Sequence, residues 1–284
     1  MRFWIGVLTV FGCVILGYVI GGGHMGVLWQ PSEFIVILGA AGGSFIISNS
    51  SKTLKHAGHA FGVACKGATY TQEHYKELIV LLYTIFKLIK SKGLMAIEPH
   101  TDNPSESAIF QSFPIFCENN QALYFLCDYL RIMTMGCDNT FQIENLIDQE
   151  IEVIEHEDNH MSSAVQSLAD ALPALGIVAA VLGIIHTMGS IDQPPAILGK
   201  LIGGALVGTF LGVLTSYGLL GPMATSLKEA SAAEHCFLRV IKAGLLAYLN
   251  GQAPIIAIEF ARKNVDPALR PSFNEVEKMT QEIT

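Results

Sequence analysis

The sequence is constrained most by four long windows that contain no Asp, Glu, Lys or Arg. A helix that crosses the hydrocarbon core of a bilayer needs roughly 20 predominantly apolar residues. The windows hold the 30 residues between Arg2 and Glu33, the 18 between Glu33 and Lys52, the 21 between Asp170 and Asp192, and the 27 between Lys200 and Lys228. We therefore predict four transmembrane helices near residues 3–22, 34–51, 171–190 and 201–225.

The composition agrees with a membrane protein. Hydrophobic residues make up 51% of the 284, charged residues only 15%, and the mean hydropathy is +0.43. Buried core helices of a large soluble protein are a poor alternative, because such helices rarely run this long without a charge. The net charge of −8 disfavours nucleic-acid binding, which requires clustered basic residues. We expect an all-α, polytopic membrane protein with a helical cytoplasmic domain.

The basic residues predict the orientation of the four spans. Every Lys and Arg except Lys200 falls inside if both termini are cytoplasmic, and this satisfies the positive-inside rule. The outer loops are then short, about residues 23–33 and 191–199, and Glu33 falls in the first of them. We interpret the first span as a retained anchor, because it is too long for a signal-peptide core and a second span follows it.

The windows divide the chain into four segments. Residues 1–51 hold the first two spans, 52–170 a cytoplasmic helical domain, 171–225 the third and fourth spans, and 226–284 a C-terminal cytoplasmic segment. The apolar spacing in 72–92 predicts an amphipathic helix that ends at Gly93. Shorter helices are expected over 105–117 and 120–135. Asp138 or Asn139 then caps a long helix that continues into the third span.

One motif suggests an enzyme, and we interpret it as a chance match. His156 to His160 reads HExxH, the pattern in which two histidines on one helix face bind zinc and the glutamate acts as the base. No convincing third ligand follows, since Ser163 and Gln166 stand where the extended motif has Gly and His. The six cysteines form no CxxC pair. We expect no enzyme activity, no metal and no cofactor.

The third and fourth spans carry features of close helix packing. Gly204, Gly208 and Gly212 recur every four residues and let helix backbones approach each other. Pro173 and Pro222, near the inner ends of these spans, each remove a backbone hydrogen bond and can bend a helix. These features fit plain helix packing or a narrow pathway beside a partner helix, and the residues alone leave both open.

No predicted span contains a carboxylate, Lys or Arg at mid-depth. Ion pathways usually use such groups. Either this chain conducts nothing, or a partner chain supplies the acid.

Several stretches resemble the MotA family of flagellar motor stator subunits. The resemblance covers essentially the whole chain and is carried by the following motifs: Leu172–Gly183, Val207–Gly212 with Pro222, Asn103-Pro104-x-Glu106-Ser107, Asp128–Arg131, Ala257-x-Glu259-Phe260-x-Arg262-Lys263, and Arg270–Phe273 with Glu275.

The resemblance implies a function and a set of partners. MotA subunits form a ring, thought to be a pentamer, in the bacterial inner membrane around MotB, whose single membrane helix carries the essential Asp. Ion flow through the complex turns the rotor through its protein FliG. By position, Lys90 and Glu98 are the rotor-facing charges, and Pro173 and Pro222 couple protonation to conformational change. Many family members have Arg at the position of Lys90, and Lys lacks the planar fork of Arg.

The resemblance also bears on the coupling ion. Sodium requires several oxygen ligands, and sodium-driven relatives have Thr at the position of Ala180. Ala180 offers only a methyl group, which leaves Thr209 as the main nearby hydroxyl. We therefore expect protons to be the coupling ion and Ala180 and Thr209 to lie on their path.

Three alternatives compete with this interpretation. An energy-transducing subunit of the ExbB or TolQ type has three spans and lacks the Arg270–Phe273 tail. A membrane zinc protease uses His156 and His160. A self-contained transporter conducts without a partner.

Overall fold

The computed structural model describes residues 2–67, 70–137 and 139–281, and every regular element in these ranges is helical. The all-α fold predicted from the sequence is confirmed. The α-helices are α1 Arg2–Ile20, α2 Met25–Leu28, α3 Pro31–Ser48, α4 Ser51–Lys66, α5 Gln72–Lys92, α6 Glu98–Asp102, α7 Ala108–Gln111, α8 Pro114–Cys117, α9 Asn120–Thr134, α10 Thr140–Met188, α11 Pro195–Thr215, α12 Gly221–Leu249, α13 Pro254–Lys263 and α14 Phe273–Gln281.

Four helical stretches of the described chain are long and apolar enough to cross a membrane, as predicted. They are Phe3–Ile20, Met25–Ser48, Thr140–Met188 and Pro195–Leu249. The second begins at Met25, nine residues before the predicted start, because α2 and the first turn of α3 belong to it. The segment 23–33, predicted to be an outer loop, is therefore largely helical, and its position outside the membrane stays a prediction.

The described chain divides into two compact units. The first comprises Met1–Ala68 and Glu157–Ala230, and the second comprises Thr69–His156 and Ser231–Thr284. The first unit contains the first two candidate spans, α4, the part of α10 from Glu157 onward, α11 and the part of α12 up to Ala230. The predicted segment boundaries at 51 and 170 thus differ from the boundaries of the compact units.

In the first unit, α4 packs against α10 and the start of α12. The side chain of Ser50 caps α4 by accepting a hydrogen bond from the Thr53 N–H at 3.3 Å. Small residues of α4, Ala60 and Ala64, are buried against the start of α12. Ser226 donates a hydrogen bond to the carbonyl of Ala64 at 2.9 Å. Lys52 forms an ion pair with Glu157 at the base of this unit.

The second unit is built around α5. The predicted helix 72–92 has the observed bounds, and its positive-φ Gly93 ends it by donating a hydrogen bond to the Ile89 carbonyl at 2.8 Å. The core is large and continuous, since α5, α9, α12, α13 and the first turns of α10 all contribute buried side chains to one cluster. Phe86 stacks on Tyr248 at 4.4 Å between ring centroids.

Helix caps and anchored turns fix the remaining elements. Asn139 Oδ1 accepts hydrogen bonds from the N–H groups of Phe141 and Gln142 and thereby begins α10, as predicted. The alternative cap, Asp138, lies outside the described residues. Arg262 is buried and binds both Glu259 and the Pro271 carbonyl, so two of the motifs that suggested the family hold the C-terminal turn in place.

Replacing a core leucine of α5 should destabilise the second unit. Leu81 is 0% exposed, so Leu81→Ala should cost about 2–5 kcal/mol through lost burial and a residual cavity. Leu146→Ala, at a position on α10 that is 45% exposed, is the matched control and should change stability by about 0.5 kcal/mol or less. Thermal unfolding of the purified protein in detergent compares the two, and equal shifts would contradict this description of the core.

Candidate functional site: the contact between the third and fourth membrane helices

The membrane part of α10 and helix α11 touch through bare backbone. A Cβ placed on Gly176 would lie 2.8 Å from the Gly208 carbonyl oxygen and 3.2 Å from the Cα of Gly212. A Cβ on Gly212 would lie 2.6 Å from the Leu172 carbonyl oxygen. Real Cβ atoms do not approach other atoms this closely, so glycine is required on both helices. We call this contact the α10–α11 seam.

The seam continues toward the C-terminal end of α10 and the N-terminal end of α11. A Cβ on Gly183 would lie 2.6 Å from the Cβ of Ala205. The contacts pair residue 172 with 212, 176 with 208 and 183 with 205, which is an antiparallel register. Small side chains and close backbones are the usual basis of helix association in a membrane, where the hydrophobic effect gives little discrimination.

Ala180 and Thr209, the two residues expected on the ion path, both lie on this seam. Ala180 is buried, and its N–H lies 3.2 Å from the Cβ position of Gly208. Thr209 is half-buried, and its hydroxyl donates a hydrogen bond to the Gly176 carbonyl at 3.4 Å. Both residues thus contact the facing helix of the seam, Ala180 through its backbone at Gly208 and Thr209 through its hydroxyl at Gly176.

Two of the three glycines predicted for helix packing accommodate polar side chains from the first part of the second span. A Cβ on Gly204 would lie 2.9 Å from Gln30 Nε2, and a Cβ on Gly208 would lie 2.6 Å from Glu33 Oε2. Gly212, by contrast, contacts the backbone of α10 at Leu172 and Gly176. The glycines at four-residue spacing therefore leave room both for side chains from the start of the second span and for the backbone of α10.

The position of Glu33 corrects a sequence-based expectation. Glu33 lies in the first turn of α3 and is 7% exposed, whereas the charge pattern placed it in an outer loop. The prediction that no span carries a charged side chain at mid-depth is not tested by this position, but the start of the second span does carry a buried carboxylate. Counting charge-free windows misses such a residue, because every charge is assigned to a window boundary. The sequence does contain a signal for this position. Gln30 and Glu33 are three residues apart, a spacing that places two polar side chains on the same side of a helix.

The two prolines occupy different helical environments. Pro173 is half-buried inside the continuous α10, where it leaves the Ala169 carbonyl without its helical partner. Pro222 is exposed and lies two residues after a π-helical segment, Ser216–Leu220, which is closed by a hydrogen bond from the Gly221 N–H to the Ser216 carbonyl. The wider turn accommodates the missing N–H of Pro222 without ending the helix. The sequence did not predict this segment.

Lys90 and Glu98 lie on the surface of the second unit. Lys90 is in the last turn of α5 and Glu98 begins α6, with Gly93 and one 3-10 turn between them. Both side chains are exposed, and neither forms an ion pair within the described part of the chain. They are therefore available to charges on another protein.

The HExxH residues lie on α10, and His156 and His160 are both exposed. Across residues 2–67, 70–137 and 139–281, no three His, Cys, Asp or Glu side chains come together as a metal site would require.

In the second unit, burial raises the pKa of the Cys127 thiol to about 12, which keeps that thiol protonated and unreactive.

Adding one methyl group at the seam should disrupt it. Gly212→Ala places a Cβ 2.6 Å from a backbone oxygen of the facing helix, so α10 and α11 must separate. Gly199→Ala on the same helix is the matched control, because a Cβ there meets nothing within 4 Å. We expect Gly212→Ala to lower the membrane level and thermal stability of the protein, measured by immunoblot and unfolding midpoint, and Gly199→Ala to change neither. Equal behaviour of the two variants would contradict the close contact.

Comparison with known proteins agrees with this architecture. Residues 4–93 match the Motility protein A N-terminal family, and residues 120–236 match the MotA/TolQ/ExbB proton channel family. The chain is 42% identical to Motility protein A of Salmonella typhimurium and of Escherichia coli, over 100% of this chain and 96% of each relative. It is 37% identical to the chemotaxis protein LafT of Vibrio parahaemolyticus over 99% of both chains.

Two solved structures have the same fold. One is the MotAB structure of C. jejuni, with a TM-score of 0.79 and 20% identity over 96% of this chain and 98% of that chain. The other is the flagellar MotAB stator complex from Bacillus subtilis, with a TM-score of 0.74 and 25% identity over 97% and 98% of the two chains. With the four spans, the glycine seam and the whole-length identity taken together, the chain belongs to the Motility protein A family.

Proposed function

We propose that this chain is the membrane stator subunit of a bacterial flagellar motor and that, with a MotB-type partner, it conducts protons and converts their flow into torque. The observation that carries the proposal is the α10–α11 seam, with Ala180 and Thr209 on it, in a chain matched to Motility protein A along its whole length. The name of the related Bacillus subtilis complex supplies the partner class.

The partner contributes the principal proton carrier. The seam residues offer a methyl group, one hydroxyl and backbone carbonyls, and none of these groups titrates near neutral pH. A membrane carboxylate from a single partner helix would complete the path when it lies beside Ala180 and Thr209. Several copies of this chain, arranged as a ring of five in the inner membrane with both termini cytoplasmic, would enclose that helix.

The proposal assigns protons rather than sodium as the coupling ion. A sodium ion that has lost its hydration shell needs about six oxygen ligands, as other hard cations do. Ala180 presents no oxygen in its side chain, and Thr209, whose hydroxyl donates to the Gly176 carbonyl, can offer a cation only one side-chain oxygen. A proton needs only one acceptor at a time, and the seam is compatible with that.

Movement then passes from the seam to the rotor. Pro173 and Pro222 are the places where the two helices would bend, because each proline removes one backbone hydrogen bond, and a π-helical segment precedes Pro222. The exposed Lys90 and Glu98 would contact charges on the rotor protein FliG. Enzyme activity plays no part in this proposal, and a zinc protease lacks support because its two histidines are exposed without a third ligand among the described residues.

A complementation experiment tests the proposal and the coupling ion together. In a motile bacterium that lacks its stator genes, this chain expressed with its MotB-type partner should restore swimming, and this chain alone should not. Swimming should stop with a protonophore and continue when sodium is replaced by potassium. Restored motility without the partner would indicate a self-contained transporter, and no restoration with it would contradict the proposed function.

Reversing the charge of Glu98 should weaken torque without unfolding the protein. Glu98→Lys changes an exposed residue, so the membrane level of the protein should remain normal. Torque measured from tethered cells or attached beads should fall, most strongly at high load. Glu152→Lys, at another exposed carboxylate of the same compact unit, is the control and should leave torque unchanged. Normal torque in Glu98→Lys at every load would refute the role of Glu98.

A further inference from the structure

Glu33 is the one described residue whose side chain has a fully buried polar atom without a hydrogen-bond partner. That atom is Oε2, and the residue as a whole is 7% exposed. Ionisable groups inside a membrane protein are costly, and they usually occur where they serve a substrate or ion pathway. Packing alone gives no reason for a carboxylate here, since an apolar side chain would fill the same space without that cost.

The carboxyl group of Glu33 lies between the two helices of the seam. Its Oε2 is 2.6 Å from the Cβ position of Gly208 on α11, and its Oε1 is 3.3 Å from the Cβ position of Gly183 on α10. The Gly208 position also contacts Ala179 and the N–H of Ala180. The carboxyl group therefore lies next to the region already assigned to the ion path, one residue along α11 from Thr209.

The start of the second span follows the outer half of α11. Val27 reaches the Cβ position of Gly203 at 3.9 Å, Gln30 reaches that of Gly204, and Glu33 reaches that of Gly208. Polar groups thus lead inward along α11 as far as the seam. Gln30 Nε2 also donates a hydrogen bond to the Val27 carbonyl at 3.1 Å, which holds this segment in its conformation.

No charged group of the described chain neutralises Glu33. The titratable side chains on the neighbouring membrane segments are His24 before α2, His186 on α10 and Lys200 on α11, and all three are exposed. Glu33 forms no ion pair with any of them. A proton is therefore the simplest ligand that removes its charge.

We propose that Glu33 is a proton-binding site of this chain, which accepts protons from the outer side and passes them to the membrane carboxylate of the partner. The proposal rests on the proposed function and adds to it a relay residue within the ring-forming subunit. The step balances, because the Glu33 carboxylate gains a proton to form a carboxylic acid, and the acid then gives that proton to the partner's carboxylate.

The test uses the full complex of this chain with its MotB-type partner and a carboxylate-to-amide exchange. Glu33→Gln keeps the size and shape of the side chain but cannot release a proton, so proton flux and low-load swimming speed should fall by about tenfold or more. Glu33→Asp keeps a titrating group and should retain most of the flux. Asp192→Asn is the matched control, because it removes an exposed outer carboxylate of the same compact unit, and its flux should equal that of the unchanged chain.

The pH profile separates a relay from a structural role. In the unchanged chain and in Glu33→Asp, flux should show a titration step with external pH, and Glu33→Gln should lack that step. Unchanged flux and an unchanged profile in Glu33→Gln would overturn the proposal, as would equal losses in the Gln and Asp variants. Failure of the unchanged complex to support swimming would instead contradict the proposed function.

A second measurement decides the matter if Glu33→Gln does not reach the membrane. Infrared difference spectra of the complex between acidic and neutral pH should contain a protonated carboxyl band that shifts in Glu33→Asp. A band that does not move between these two proteins would contradict proton binding by Glu33.

Discussion

The rest of the membrane structure depends on the bare-backbone contact between α10 and α11. Gly176 and Gly212 bring the two helices so close that a single added methyl group would overlap a carbonyl oxygen. This closeness places Ala180 beside Gly208 and lets the Thr209 hydroxyl reach across to α10. It also leaves room over Gly204 and Gly208 for the side chains of Gln30 and Glu33. One steric constraint thus sets both the helix packing and the position of every candidate ion-path group.

The same contact explains how the chain combines rigidity with movement. The seam holds α10 and α11 together by close packing, whereas backbone irregularities lie at Pro173 within α10 and at Ser216–Leu220, directly after α11. In the proposed mechanism, proton binding changes the charge at the seam, and the helices respond where a proline removes a backbone hydrogen bond. The charges of Lys90 and Glu98 are exposed and available to a rotor. This division of roles suits a protein that converts ion flow into motion.

Much of this architecture follows from the sequence because strong physical rules apply to it. A charge-free window long enough to cross a bilayer has few alternatives to a membrane helix. The amphipathic α5, its stop at Gly93 and the cap at Asn139 obey local rules that tertiary packing did not override. The buried position of Glu33 was not predicted, because a rule that ends each span at a charged residue cannot place a charged residue inside a span. The π-helical segment was not predicted either, since it depends on how the chain passes from α11 to α12 near Pro222.

The central claim is that the α10–α11 seam faces the partner's membrane carboxylate. Site-directed cross-linking tests it directly, with one cysteine at Thr209 or Ala180 and another beside that carboxylate, in an otherwise cysteine-free complex. The control is a cysteine at Leu16 of α1, whose span has none of its residues buried. The account predicts rapid disulfide formation from the seam positions and none from Leu16. Cross-linking from Leu16 without cross-linking from the seam would contradict it.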